Sequence, residues 1–133
     1  MPTRRIRNLS SLVMLLFGLS AFAMGVFGLL ATDTLLTTFG ATSIDGTLRA
    51  FGLLASVAAT NVGAYYVLAA FANLKTFYWW TVPFRLFITV LFIGGAAVSG
   101  QIPGTFLGIA IWEGLGALAT GAALIYERNR GIE

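Results

Sequence analysis

Two ionisable residues stand inside apolar sequence, and any chemistry of this 133-residue chain has to start from them. Glu113 lies in Gly108-Ile109-Ala110-Ile111-Trp112-Glu113-Gly114-Leu115, about ten residues beyond Pro103, which at helical rise puts its carboxylate roughly 15 Å along a helix. A lone charge at that depth in hydrocarbon is expensive, so the group needs a partner, a proton or a ligand. Either it is a buried carboxyl satisfied by hydrogen bonds from Asn61, Thr60 or Ser56, or it is a proton, ion or ligand site. Arg85, in Pro83-Phe84-Arg85-Leu86-Phe87, is the obvious countercharge. Helical side chains lean toward their own N-terminus, so Arg85 leans toward the cytoplasmic side and Glu113 outward, and the two diverge from an axial gap of roughly 7 Å. Arg85 then has a second option, snorkelling to lipid headgroups beside Trp79 and Trp80. Arg49 is placed to cap the acidic loop between Asp33 and Asp45, to reach Glu113 through water, or simply to anchor a helix at an interface. Trp112, Tyr65 and Tyr66 could flank a hydrophobic guest such as a lipid, a quinone or a carotenoid, although aromatic residues inside a bundle more often form core.

The residues that are missing exclude more than these include. Without cysteine there are no disulfides, thiolate nucleophiles, iron–sulfur clusters or cysteine-based zinc sites. Without histidine the commonest haem ligand, general base and transition-metal ligand are gone. Met1, Met14 and Met24 sit at the terminus or in apolar sequence and are expected to pack rather than ligate. No cofactor, metal site or catalytic residue is assigned; an enzyme would have to run acid–base chemistry on Glu113 and a tyrosine alone.

The elements that position Glu113 and Arg85 follow from the distribution of apolar residues. A chain that is 58% hydrophobic and 10% charged, with mean hydropathy +0.88, cannot clothe a soluble surface, and its apolar residues come in membrane-length runs. The expected fold is all-α, an integral membrane bundle of four transmembrane helices in one domain, at about 9–32, 48–74, 81–100 and 104–126. Between the first two, residues 33–47 form an interfacial loop, with Asp33 capping one or two turns and Gly40 ending them. Pro83 suits the first turn of the third helix, Gln101-Ile102-Pro103-Gly104 is a tight turn, and the tail from Glu127 onward reads as solvated. Arg4, Arg5 and Arg7 before an apolar run imitate a secretory signal, but the run continues past Ala23 as an anchor would, so the first span is expected to be retained. Arg4, Arg5, Arg7, Lys75, Arg85, Arg128 and Arg130 fall on one side and Arg49 alone on the other, which predicts cytoplasmic N- and C-termini. The net charge of +3 is thereby explained by topology, and no nucleic-acid partner is expected.

Helices in lipid associate through small residues. Gly18, Ala21, Gly25 and Gly28 recur at helical spacing in the first span, Gly52, Ser56 and Thr60 in the second, and Ala110, Gly114, Ala117 and Gly121 in the fourth. Each is expected to be a helix contact, and there are more such stripes than a bundle of four helices needs for itself, which points to a second copy or another membrane subunit. The segments Leu48-Arg49-Ala50-Phe51-Gly52, Pro83-Phe84-Arg85-Leu86-Phe87 and Gly108 to Leu118 together resemble the small four-helix bacterial membrane proteins called BphX-like. That resemblance implies the same fold, a bacterial inner membrane, an acidic residue before Leu-Gly-Ala-Leu at Glu113 and an arginine early in the third helix at Arg85; it implies no activity. The leading expectation is a non-catalytic accessory or scaffolding subunit packed against a larger membrane complex. The alternative is a binder or carrier of a small hydrophobic or cationic ligand, using Glu113 and Arg85 inside the bundle, with Asn61 and Arg49 as further polar candidates.

Overall fold

A computed structural model describes residues 8–132; Met1, Glu133 and the three arginines of the N-terminal segment, on which part of the charge asymmetry rests, lie outside them. Among the described residues the chain is helical without strands: α1 (Leu9–Leu30), α2 (Thr32–Thr38), α3 (Gly46–Ala72), α4 (Lys75–Phe84), a π-helical segment (Arg85–Gly94), α5 (Gly95–Val98), a 3-10 turn (Gly104–Phe106) and α6 (Leu107–Asn129). Four continuous helical stretches are long and apolar enough to cross a membrane, Leu9–Leu30, Gly46–Ala72, Lys75–Val98 and Gly104–Asn129.

Each boundary has a local cause. Asp45 accepts the Leu48 N–H at 2.7 Å and so starts α3 two residues before the expected position. Asn73 ends it in the left-handed region at φ 53°, where asparagine is tolerated, and the N–H of Leu74 closes on Ala69 O. Gly40, at φ 100°, ends α2, with the Ala41 N–H on Leu36 O; Asp33 lies in the first turn of that helix and Ala31 precedes it.

The third long helix departs most from expectation. It begins at Lys75 rather than near residue 81, so Pro83 lies in its interior and not in its first turn. An interior proline supplies no N–H and its ring clashes with the carbonyl four residues back. Two residues later the ladder opens from the α spacing to bonds reaching five residues back, and it stays open through Gly94. Such wide turns are uncommon and usually short.

α1 sits between α3 on one side and α4 and α6 on the other, while α3 makes its extensive contacts with α1 and α2 alone. The α1–α3 contact is backbone on backbone. A Cβ on Gly18 would stand 2.8 Å from Tyr66 Cβ, one on Gly25 would strike Thr60, and one on Gly63 would strike the backbone of Phe22. Gly52 lies under Leu36 and Thr32 of α2, and buried Ser56 turns its hydroxyl back to Gly52 O. In α6, Gly114 and Gly121 meet Val90 and Val82 of the third helix at ordinary distances, and Ala117 is fully buried. These small residues therefore serve contacts within the chain. Gly63→Ala is expected to cost about 1 to 3 kcal/mol through forced separation of α1 and α3, read as a lowered thermal midpoint in detergent; an unchanged midpoint would refute the close approach.

Polarity runs opposite to that of a soluble domain. Ser10, Ser11, Ser56, Thr81, Arg85, Thr120 and Glu127 are buried, whereas Leu16, Leu54, Leu68, Phe87, Leu91, Phe92 and Leu115 face outward.

Candidate functional site: the Arg85–Glu113 pair

Arg85 opens the π segment and Glu113 lies in the second turn of α6, and the two meet directly. Arg85 Nε donates to Glu113 Oε2 at 2.9 Å, and Nη2 donates to the Glu113 carbonyl at 3.3 Å. The guanidinium lies 3.6 Å above the centroid of the Phe17 ring, Phe17 stacks on Trp112 at 4.1 Å, and Tyr66 stands 5.6 Å from Phe17. A buried cation against a ring face is favourable by roughly 2 kcal/mol. Arg85 Nη1 is the one buried side-chain donor without a hydrogen-bond acceptor among the described residues, and the ring face provides its partial compensation. Gly116 makes the arrangement fit, because a Cβ there would strike Arg85 Nη2 and the Phe17 ring.

The expected divergence of the two groups is corrected by the π segment. Wider turns advance less along the axis per residue than α turns, so Arg85 stands nearer the Glu113 end than ideal helical rise puts it. Arg85 is buried and paired, not extended toward Trp79 and Trp80. The other partners considered for Glu113 are elsewhere: Asn61 is exposed on α3, Ser56 bonds Gly52 O, and Thr60 bonds Ser56 O. Arg49 donates to Asp33 through Nε at 2.9 Å and Nη2 at 2.7 Å, so it ties α2 to α3 and does not reach Glu113. Those two donors hold the Asp33 carboxyl below its ordinary value.

Glu113 is only partly covered. Its Oε1 has no hydrogen-bond partner among the described residues, and the residue lines two grooves, one on each side. The larger, of about 560 Å³, runs between α3 and the third helix and is lined by Tyr65, Tyr66, Phe77, Trp80 and Phe84 together with Arg85. The smaller, of about 300 Å³, has Ala58, Ala59 and Gly108 among its lining, with Met24 and Trp112. Val62 borders both. The seam exists because α3 packs on α1 and leaves α6 and the π segment largely uncovered on this side.

A second polar cluster lies at the end of the bundle where α1 starts. Glu127, expected in a solvated tail, is buried in the last turns of α6. Its Oε1 accepts the Ser10 N–H and its Oε2 the Ser10 hydroxyl, both at 2.7 Å, and Lys75 Nζ stands 3.2 Å from Oε2. The Asn8 side chain makes no cap bond, so the first turn of α1 takes its carboxylate from α6 instead. Alongside, Ser11 donates to Asn73 Oδ1 at 2.9 Å and lies 3.1 Å from the Tyr78 hydroxyl, which donates to Ala69 O. Met14, Ala69, Ala70, Tyr78 and Leu124 pack beside it. The signal was present in the sequence, since Ala117, Thr120, Leu124 and Glu127 share one helical face.

Among the described residues the fold and these two clusters define an all-helical chain with four membrane-length helices, in which Arg85, Glu113 and Glu127 are the charges drawn in between helices. Compared with known proteins, the chain matches no family model, no curated protein and no solved structure.

Proposed function

We propose that this chain is a multi-pass membrane protein that binds or carries a small hydrophobic molecule in the seam beside Arg85 and Glu113. The membrane setting is supported by the outward-facing leucines and phenylalanines around a core that holds buried serine, threonine, arginine and glutamate beside small and apolar residues. The binding role is carried by one observation, a Glu113 carboxylate that gives one oxygen to Arg85, has no hydrogen-bond partner on the other among the described residues, and belongs to a residue lining two largely apolar grooves. Groove volumes of this order suit a small ligand, and a few polar groups on an apolar lining are what binding sites use for orientation. The other reading, an accessory or scaffolding subunit, rests on the lack of histidine, cysteine and a soluble domain and on the small-residue stripes; those stripes pack within the chain and so do not themselves mark a partner surface. The resemblance to BphX-like proteins agrees with a bacterial inner membrane but adds no activity.

Purification in mild detergent followed by mass spectrometry of bound small molecules is expected to find an apolar compound on the wild type. Val62→Trp, which puts a bulky ring at the one apolar residue that borders both grooves, is expected to lose it. Equal retention by both proteins would remove the seam as the site. For orientation, reporter fusions after Lys75 and after Glu133 are expected to signal cytoplasm and one after Thr42 the opposite side. A non-cytoplasmic signal after Glu133 would reverse the topology.

A further inference from the structure

Resting on that binding role, we infer that the occupant is a neutral, apolar molecule carrying a hydroxyl group, which donates to Glu113 Oε1. The charges already in place disfavour ionic and acceptor-only headgroups at Glu113. Arg85 and Glu113 together are neutral, so an added ion of either sign leaves an uncompensated charge between the helices. An ammonium group approaching Oε1 would stand close to the guanidinium that holds Oε2 at 2.9 Å. An anion would face the carboxylate itself. A neutral carbonyl, an acceptor only, would set oxygen against oxygen at Glu113, and the Arg85 nitrogen that makes no hydrogen bond, Nη1, is buried. A hydroxyl supplies the missing donor and adds no charge.

The rest of the molecule is described by the lining. The larger groove offers the faces and edges of Tyr65, Tyr66, Phe77 and Trp80, and the smaller a floor of alanine and glycine that admits a slender chain or ring. Apart from the ion pair, the only hydroxyls on these walls are those of Tyr65, Tyr66, Thr81 and Thr89, all in the larger groove. Glu113 is thus the sole polar group common to both grooves, and an occupant spanning them places its hydroxyl there.

The test uses the intact protein in detergent or nanodiscs with three matched probes, farnesol, farnesyl methyl ether and farnesylamine, with affinity read by native mass spectrometry and by the shift in thermal midpoint. Farnesol is expected to bind at least about tenfold more tightly than its methyl ether, the usual scale for a hydrogen bond to a charged acceptor. Val62→Trp is expected to abolish binding of both, and Glu113→Gln to shrink the difference between them. Equal affinity for alcohol and ether, with both lost in Val62→Trp, overturns the hydroxyl and leaves the binding role standing. Tightest binding of the amine overturns it in favour of a cation. No binding of any probe, or binding indifferent to Val62→Trp, overturns the inference and the seam together.

Discussion

Glu113→Leu is expected to destabilise the bundle by about 3 to 5 kcal/mol, because it leaves the Arg85 guanidinium buried without its carboxylate. Arg85 cannot escape easily. It is packed against Phe17 on one side and Gly116 on the other, and it already has one donor without an acceptor. Glu113→Gln keeps an oxygen for Nε and nearly the same shape, so its cost is expected to be smaller, about 1 to 3 kcal/mol. The double variant Arg85→Met, Glu113→Leu removes both charges and is expected to recover most of the loss, as replacement of a buried pair by apolar groups commonly does. Thermal midpoints of wild type, Glu113→Leu, Arg85→Met and the double variant form a double-mutant cycle. Additive losses would show that the two residues are not energetically coupled, whatever their separation. Recovery of stability without recovery of the bound compound would separate the site's ligand from its role in folding.

Glu127→Ala is expected to cost about 2 to 4 kcal/mol, since the N–H and hydroxyl of Ser10 lose a charged acceptor and Lys75 its counterion in one step. The damage should be local at first. Hydrogen exchange at the first turns of α1 and at Tyr78 is expected to rise before that of the α1–α3 contact, where glycines hold the backbones together. Lys75→Met, by contrast, leaves both Ser10 bonds in place and is expected to cost about 1 kcal/mol or less, as a partly exposed partner would. Equal midpoints for wild type and Glu127→Ala would show that water replaces the carboxylate at the start of α1.

The number and class of helices were legible because hydropathy over a membrane-length window depends on nothing outside the window. The small residues of α1 and α3 were legible as contacts for the same reason, since Gly18, Gly25 and Ser56 fall on helical faces whatever they meet. What they meet was not, and the partner proved to be the neighbouring helix of the same chain. Glu113 and Arg85 stood out as charges in apolar sequence, but their distance depended on a π segment that no local pattern announces. Asn61 was misplaced because a polar residue on a long helix carries no mark of which side it faces. Glu127 was missed for a different reason. Its neighbours Arg128, Asn129 and Arg130 are polar and exposed, so composition pointed to a tail where the helical face of Thr120 and Leu124 pointed to a core. Gly116 was overlooked because it lies off the regular stripe of its helix, next to the one side chain that needs the room.

The bond between Ser10 and Glu127 spans 117 positions of sequence, and this has a consequence for how the protein is made. Helix α1 is synthesised first and finds α3 as soon as the second long helix emerges, so the glycine contact is available early. The opening turn of α1 stays without its acceptor until the final turn of α6 has left the ribosome. At roughly 5 to 20 residues per second, that leaves several seconds in which the nascent chain holds its tightest interface but not its closure. Chains released before Glu127 are expected to keep the α1–α3 pair yet leave the Ser10 N–H and hydroxyl without their acceptor at one end.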